Sequence, residues 1–563
     1  MTSGTAIETQ PSTAHAWELD GRVVRSVLSA ALMIVAALCW WLALPPRGWW
    51  VLFPLGVAAF MGATVGHRLR DRIWLGGLCG LAHYSLALQW LSEFSIVGHL
   101  GAVLLEATLL AGVAAISLGH GPHRRRALWW LVTPSTLVLL EALQHRVPFG
   151  GFPLPSFGFS QVDGPFMAAA PVGGSLMVTG LAAVTGAAVL TVIVGPRRRT
   201  RAVASTIALL ALLLPMSLAD VTGGEPAGTL DAVIVQGGGP RGLREFNTVD
   251  ATEEHLRTAE LIGRSPDLVL MPESIGHAPG PVGRSTVGDR FARLAQELDT
   301  RLVAGVTETE ADGYRNAAVL WGPDGQLEDR YEKHHRVPFG EYLPLRGVVE
   351  QVSEHAHLVP RDAIIGEDPS ALRRDSTSPW GIVISYEVFF ADRVREAVNH
   401  GGQVLLVPTS AASFATDEVP AIEVAASQMR AREFDRAVLQ AAPTGYSAVI
   451  RPDGVVEQLS DLGTSELLTA DVPLRTGLTP YARAGDTPMV ALALAIILWS
   501  VAGRLADRSE PGRRPSQRAR GGHMMGRHRS WWRAAPIGCL GRALPRHEFA
   551  RPIPYDAAHT VLA

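Results

Sequence analysis

Apolar positions fall into two regimes along this chain. Before residue 220 they form long blocks almost free of charge, at 23–44, 49–66, 73–92, 98–119, 127–144, 165–195 and 202–219, and one shorter block follows at 488–503. A helix needs roughly 20 apolar residues to cross a bilayer. The blocks therefore predict eight transmembrane helices, seven before residue 220 and one after 487. Between them the pattern changes to short apolar runs that suit buried strands, at Asp231–Gln236, Asp267–Met271, Arg301–Val306, Ala317–Trp321, Gly381–Ser385, Gln403–Val407, Ala437–Ala442 and Ser447–Arg451. Val287, Phe291, Leu294 and Leu298 recur at spacings of four, three and four, which predicts a helix over 286–298. A second helix is expected over 420–435, with Ile422, Ala425, Ala426 and Met429 on one face. Alternating strands and helices over 220–487 predict an α/β domain long enough to bury its own core.

Charge gives the arrangement a direction. Basic residues gather at Arg22 and Arg25, at Arg68, Arg70 and Arg72, at Arg124–Arg126, at Arg197–Arg199 with Arg201, and from Arg504 onward. These are alternate ends of the eight blocks, so the positive-inside rule places each cluster in the cytoplasm and residues 220–487 on the outer face. The expected organisation is a cytoplasmic N-terminus (1–20), a membrane domain (21–219), an external domain (220–487), a closing helix (488–505) and a basic cytoplasmic tail (506–563). The N-terminus and tail lack periodicity and are expected to be disordered. Composition agrees with a membrane chain: 47% of the 563 residues are hydrophobic. The net charge of −3 gives no sign of a nucleic-acid partner.

Cys39 and Cys79 lie in apolar blocks and Cys539 in the tail, so the external domain has neither a disulfide nor a cysteine nucleophile. Candidate chemistry there comes from three stretches. Glu273 follows the strand ending at Met271, Lys333 and Glu341 flank a Pro338-Phe339-Gly340 turn, and Ser385, Tyr386 and Glu387 follow an apolar run from Ile382. A carboxylate base, a lysine able to stabilise an oxyanion and a nucleophile suffice for acyl transfer through a covalent intermediate. Each residue alone also has an ordinary structural reading. The His334-His335 pair is not expected to hold a metal, since neighbours on a strand point opposite ways and no third ligand is evident. The loop Pro148–Gln161, with Phe149, Phe152, Phe157 and Phe159, reads as an aromatic segment in the membrane interface.

Taken in order, several stretches resemble the apolipoprotein N-acyltransferase family, the membrane-integrated branch of the carbon-nitrogen hydrolase (nitrilase) superfamily. They are Phe157–Gln161, Val235–Gly237, Pro272–Ser274, Tyr331–His334 with Val337–Pro344, Ser385–Glu387, Gln428–Glu433, Gly445–Ile450 and Tyr481–Asp486. The resemblance implies a nitrilase-like αββα sandwich set on a multi-pass helical membrane domain in the bacterial plasma membrane. It implies a reaction in which an acyl chain passes from phospholipid to an enzyme nucleophile, then to the α-amino group of the diacylglyceryl-cysteine that begins a lipoprotein. Glu273 matches the general base, Lys333 the oxyanion stabiliser and Ser385 the nucleophile, with Glu341, Tyr386 and Glu387 at supporting positions. No cofactor is implied. A further envelope partner, such as a membrane glycosyltransferase, stays open.

The family carries cysteine where this chain has Ser385. Its Asn-Asp-Ala-Trp-Phe appears as Ser410–Phe414, its Gln-Gly-Asn as Gln236–Gly238, and its downstream tryptophan has no match near Glu245-Phe246. A thiol ionises near pH 8.5, whereas a serine proton must be removed during attack. The departures leave an alternative, a catalytically impaired paralogue that binds lipoprotein or lipid. A membrane-tethered amidase is a third reading.

Overall fold

A computed structural model of the protein describes residues 21–117, 129–194, 198–217, 223–242, 248–352, 359–373 and 379–509. Segment 1–20, the arginines at 124–126 and 197, the Glu245-Phe246 stretch and the tail from residue 510 lie outside the described residues.

A helix stands in each apolar block. The first seven are α1 (Gly21–Ala43), α2 (Leu52–Thr64), α3 (Leu69–Ala87), α4 (Ile96–Ile116), α5 (Val132–Gln144), α6 (Ala170–Val194) and α7 (Arg198–Ser217), and a closing helix covers Thr487–Ser509. Among the described residues three helices are long and apolar enough to cross a membrane, Val23–Ala43, Ile96–Ile116 and Pro165–Val194, while Leu52–Thr64 and Thr487–Ala502 are apolar but shorter. The block at 49–66 is shortened by turns between Pro45 and Val51, and that at 127–144 starts with a 3₁₀ turn at Trp129–Leu131. The bundle leaves Trp74, Val97, Leu104, Ile193, Leu210 and Leu498 exposed. So much outward apolar surface suits lipid tails rather than water, and the protein is a membrane protein.

The segment between these helices forms two sheets. Its strands are β1 (Gly224–Gln236), β2 (Leu268–Leu270), β3 (Gly276–Ala278), β4 (Arg301–Thr309), β5 (Tyr314–Trp321), β6 (Leu327–Glu332), β7 (Ala371–Leu372), β8 (Trp380–Ile382), β9 (Leu405–Pro408), β10 (Val438–Ala441), β11 (Ala448–Ile450), β12 (Val456–Leu459) and β13 (Glu466–Gly477). The first sheet has the order β13-β1-β2-β4-β5-β6, with β3 on β4, and the second β12-β11-β10-β9-β8-β7. In each, the central strands run parallel: β1, β2 and β4 in one, β8, β9 and β10 in the other.

Period-two alternation explains how the sheets stack. Ala232 and Ile234 point into a core shared with Leu268, Trp380, Leu406 and Leu439 of both sheets. Val233 and Val235 point the other way, against Leu256 and Phe291. Those last two belong to helices α8 (Thr248–Ala259) and α9 (Thr286–Leu298). On the far side, Leu405, Val407 and Val438 pack with Val394 and Ile422. A short helix, α10 (Arg346–Val352), precedes the two that cover this side, α11 (Ala391–Asn399) and α12 (Glu418–Phe434). The layers are helix, sheet, sheet, helix.

The structure departs from expectation at four places. First, β1 begins at Gly224 and pairs with β13 along its whole length, although its first residues, with Gly224, Glu225, Pro226 and Gly228, lack strand-like apolarity. Second, the strand expected over Gly381–Ser385 stops at Ile382, and Ser385 opens a 3₁₀ turn, Ser385–Phe389. Third, α12 is buried on every side rather than on one face, because the second sheet covers one flank and the membrane helices the other. Fourth, the Pro148–Gln161 loop does not lie wholly at the surface: Phe149 is exposed, but its later aromatics turn inward. Phe157 and Phe159 are fully buried in the core that joins the bundle to α12, with Phe159 6.0 Å from the Phe389 ring. Its backbone is held from the helices by Glu141 of α5, which accepts the Gly158 amide at 3.2 Å and the Ser156 hydroxyl.

Candidate active site

Parallel strands put their carboxyl ends at one edge of a sheet, and the loops beyond those ends are where side chains can converge. Glu273 lies just beyond β2, Ser385 just beyond β8 and Thr409 directly after β9. The Glu273 amide donates to the Thr409 carbonyl at 3.3 Å, which ties the edges of the two sheets together. Close approach at Glu273 depends on Gly305 of β4. A Cβ there would meet the Glu273 Cα at 2.4 Å, and the Gly305 amide donates to the Pro272 carbonyl at 2.9 Å.

Glu273 and Lys333 are almost completely buried, their side chains 5% and 3% exposed. Lys333 Nζ donates to Glu273 Oε1 and to Glu341 Oε1, both at 2.8 Å. Asn316 Nδ2 bridges the same two oxygens, at 2.7 and 3.1 Å. The second oxygen of Glu341 accepts the Val337 amide at 2.8 Å, which closes the Pro338–Gly340 turn. Burial works against the Lys333 ammonium, but the two adjoining carboxylates override it and hold its pKa above the usual lysine range. Burial pushes the Glu273 carboxyl up, opposed by Lys333 and reinforced by Glu341. An ammonium has three N–H donors, and the two glutamates engage two of them.

Ser385 adopts φ +47°, the left-handed region that costs a non-glycine residue about 1–3 kcal/mol. Glu387 holds the turn in that shape. Its carboxylate accepts the Ile384 amide at 2.8 Å, the His334 and His335 amides at 2.8 and 3.0 Å, and the Tyr331 hydroxyl at 2.9 Å. Tyr386 points to the opposite side and donates to the Gly151 carbonyl of the membrane-side loop at 2.9 Å. Glu387 thus ties the turn to Tyr331 of β6 and to the His334-His335 segment after it, and Tyr386 ties it to the Gly151 loop. His334 Nδ1 lies 2.8 Å from the Gly366 carbonyl, and among the described residues no group of three or more His, Cys, Asp or Glu is placed to hold a metal.

The Ser385 hydroxyl does not bond Glu273. It donates to Glu423 Oε1 of α12 at 3.0 Å, and the Thr409 hydroxyl lies 3.2 Å from Ser385 Oγ and also reaches that Glu423 oxygen. Burial raises the Glu423 carboxyl to about 7, against the lowering effect of its bonds from Thr409 and Ser385. It also feels the charges of Glu273 and Lys333. Glu423, Thr409 and Asn316 escaped sequence reasoning. The only signal was a lone acid, Glu423, within the apolar run Val419–Ala426.

The model for the apolipoprotein N-acyltransferase N-terminal domain matches residues 36–188, and that for carbon-nitrogen hydrolase matches residues 255–480. The apolipoprotein N-acyltransferase of Mycolicibacterium smegmatis is 30% identical over 513 residues, 83% of each chain. The chain belongs to the apolipoprotein N-acyltransferase family. Relatives of the same name from Ralstonia nicotianae and Methylococcus capsulatus are each 28% identical, covering 82% and 84% of this chain and 91% and 97% of their own. Among solved structures, an amidase from Nesterenkonia sp. aligns with 48% of this chain and 98% of its own at 20% identity and a TM-score of 0.34. Membership of this family accounts for the pairing of a helical bundle with an αββα domain in one chain.

Proposed function

We propose that this protein moves an acyl chain from a membrane phospholipid to the α-amino group of a lipoprotein's N-terminal diacylglyceryl-cysteine, through an acyl ester on Ser385. The observation that carries the reading is a hydroxyl held at left-handed φ beside a buried Glu273–Lys333–Glu341 cluster, in a chain that shares its family over most of its length. Ser385 is the nucleophile. Lys333 directs its remaining N–H at the tetrahedral oxyanion, and Glu273 is the general base of the cluster. Glu341, Tyr386 and Glu387 hold these groups in place. Aromatic and cationic side chains, Phe149, Tyr386, Phe390, His335 and Arg336, line a recess between the membrane-side loop and the external domain, which suits an amphiphilic donor with an anionic headgroup.

In the proposed topology eight helices span the plasma membrane, residues 220–487 face outward, and segments 1–20 and 506–563 are cytoplasmic. An outward site beside the bilayer raises the effective concentration of two lipid-anchored substrates. The test is the full chain in detergent with a fluorescent phospholipid and a diacylated lipopeptide, read by mass for a third acyl chain, with Ser385→Ala and Ser385→Cys beside wild type. Product from wild type and none from Ser385→Ala supports serine catalysis. Product from Ser385→Cys alone marks a silenced site. No product from any version supports the lipid- or lipoprotein-binding reading instead.

A further inference from the structure

We propose that Glu423 takes the Ser385 proton, so that Ser385 and Glu423 form a catalytic dyad separate from the Glu273–Lys333–Glu341 cluster; its chemistry in acyl transfer rests on the function proposed above. Geometry is the first ground. Ser385 Oγ is 3.0 Å from Glu423 Oε1, whereas Glu273 Oε1 is engaged by Lys333 and Asn316 and makes no hydrogen bond to Ser385 among the described residues.

Charge is the second ground. Glu273 and Glu341 share the Lys333 ammonium. Glu423, 3% exposed, has no cation within hydrogen-bond reach among the described residues, and its Oε2 has no hydrogen-bond partner. A buried carboxylate oxygen left unpartnered is costly and uncommon. Its burial leaves the carboxyl half-ionised at about pH 7, the range in which a group both accepts and returns a proton efficiently. Chemistry is the third ground. A hydroxyl needs a base in contact during attack, which a partly ionised thiol does not, so an acid touching residue 385 matches a serine there.

In the acylation step, Ser385 Oγ bonds to the acyl carbonyl carbon as its proton moves to Glu423. The tetrahedral intermediate collapses, the acyl C–O bond to glycerol breaks, and the leaving alkoxide takes the proton back from Glu423. In the second step the acceptor ammonium first loses a proton to Glu273. The free amine attacks the ester, its further proton passes through Glu423 to Ser385 Oγ as the ester C–O bond breaks, and Glu273 gives its proton to water, which returns the enzyme to its starting state.

An alkyl fluorophosphonate tests the dyad without lipid substrates, since attack by an activated serine forms an O–P bond and expels fluoride. The full chain in detergent is labelled across pH 5 to 9, and the modified residue and rate are read by mass spectrometry. Wild type is expected to label at Ser385, with a rate that rises with pH and levels off above about 7. Glu423→Gln is expected to label about 100-fold more slowly and to lose the pH step. No label at Ser385, a flat wild-type profile, or Glu423→Gln within about threefold of wild type overturns the dyad; the wild-type profile decides even if the variant does not fold. Wild type that labels with this profile yet transfers no acyl chain supports the dyad and overturns the acyltransferase reading alone.

Discussion

Lys333 is the charge on which the buried cluster depends, and Lys333→Met measures it. Each 2.8 Å contact to Glu273 and Glu341 is worth about 6 kcal/mol of gross attraction at an effective dielectric of about 20, most of it offset by desolvation. Removing the ammonium keeps that desolvation and deletes the attraction. Two carboxylates then share one amide, Asn316. The expected loss is about 3–5 kcal/mol at pH 8, or roughly 6–20 °C in the melting temperature of a domain this size. The pH sign follows from Glu273, whose folded pKa burial already raises and which loses its main opposing charge. A carboxyl with a raised folded pKa favours the fold below its unfolded value and is penalised as pH rises. The variant should therefore approach wild type at pH 5 and fall furthest behind at pH 8. Adding Glu341→Gln removes one of the stranded charges and should recover part of the loss. The assay is thermal unfolding of the full chain in detergent, followed by intrinsic fluorescence at both pH values. A shift under about 2 °C at pH 8, or a larger deficit at pH 5 than at pH 8, refutes the reasoning.

Glu387→Ala strands four donors, the buried Tyr331 hydroxyl and Ile384 amide and the half-buried amides of His334 and His335. At about 1–3 kcal/mol each this approaches the whole stability of a domain, so little folded protein is expected by size-exclusion chromatography. Glu423→Gln is predicted to stabilise while it inactivates. The wild-type carboxyl, raised to about 7, favours the fold below its unfolded pKa and loses that advantage as pH rises through 7; melting at pH 8 should show a gain of about 1–3 kcal/mol, absent at pH 5. Gly151→Ala should cost about 1–3 kcal/mol in the same melt, because Gly151 sits at φ +128° and a Cβ would meet the His145 carbonyl oxygen at 2.6 Å. Phe159→Ala should cost about 3–5 kcal/mol by emptying the contact with Phe389.

Much of the architecture was legible because its signals are local. Apolar blocks mark helices wherever the chain has to satisfy its own backbone in lipid, and α1 through α7 with the closing helix stand in the blocks that predicted them. The run Val287 to Leu298 became α9 within a residue of its expected bounds. The resemblance also named the side chains that meet: Glu273, Lys333 and Glu341 lie 60 and 8 residues apart yet share one ammonium. What was not legible needed a partner elsewhere in the chain. The first half of β1 is a strand because β13, over 240 residues later, supplies its hydrogen bonds.

The Pro148–Gln161 loop shows the same limit. Its aromatics read as surface anchors until α12 and the Ser385–Phe389 turn are placed against them. Ser385 itself was visible, and so was the difference between a hydroxyl and a thiol. The sequence by itself determined that residues 220–487 hold no cysteine to serve as nucleophile, and the resemblance named the acids and the lysine expected near the hydroxyl. Only the tertiary structure decided which acid touches it. Glu423 stands 38 residues from Ser385, on a helix whose burial on every side conceals any amphipathic face that would single it out. Periodicity reports which residues are buried, but the direction of a buried carboxylate is set by the packing of two layers that meet only when the chain is folded.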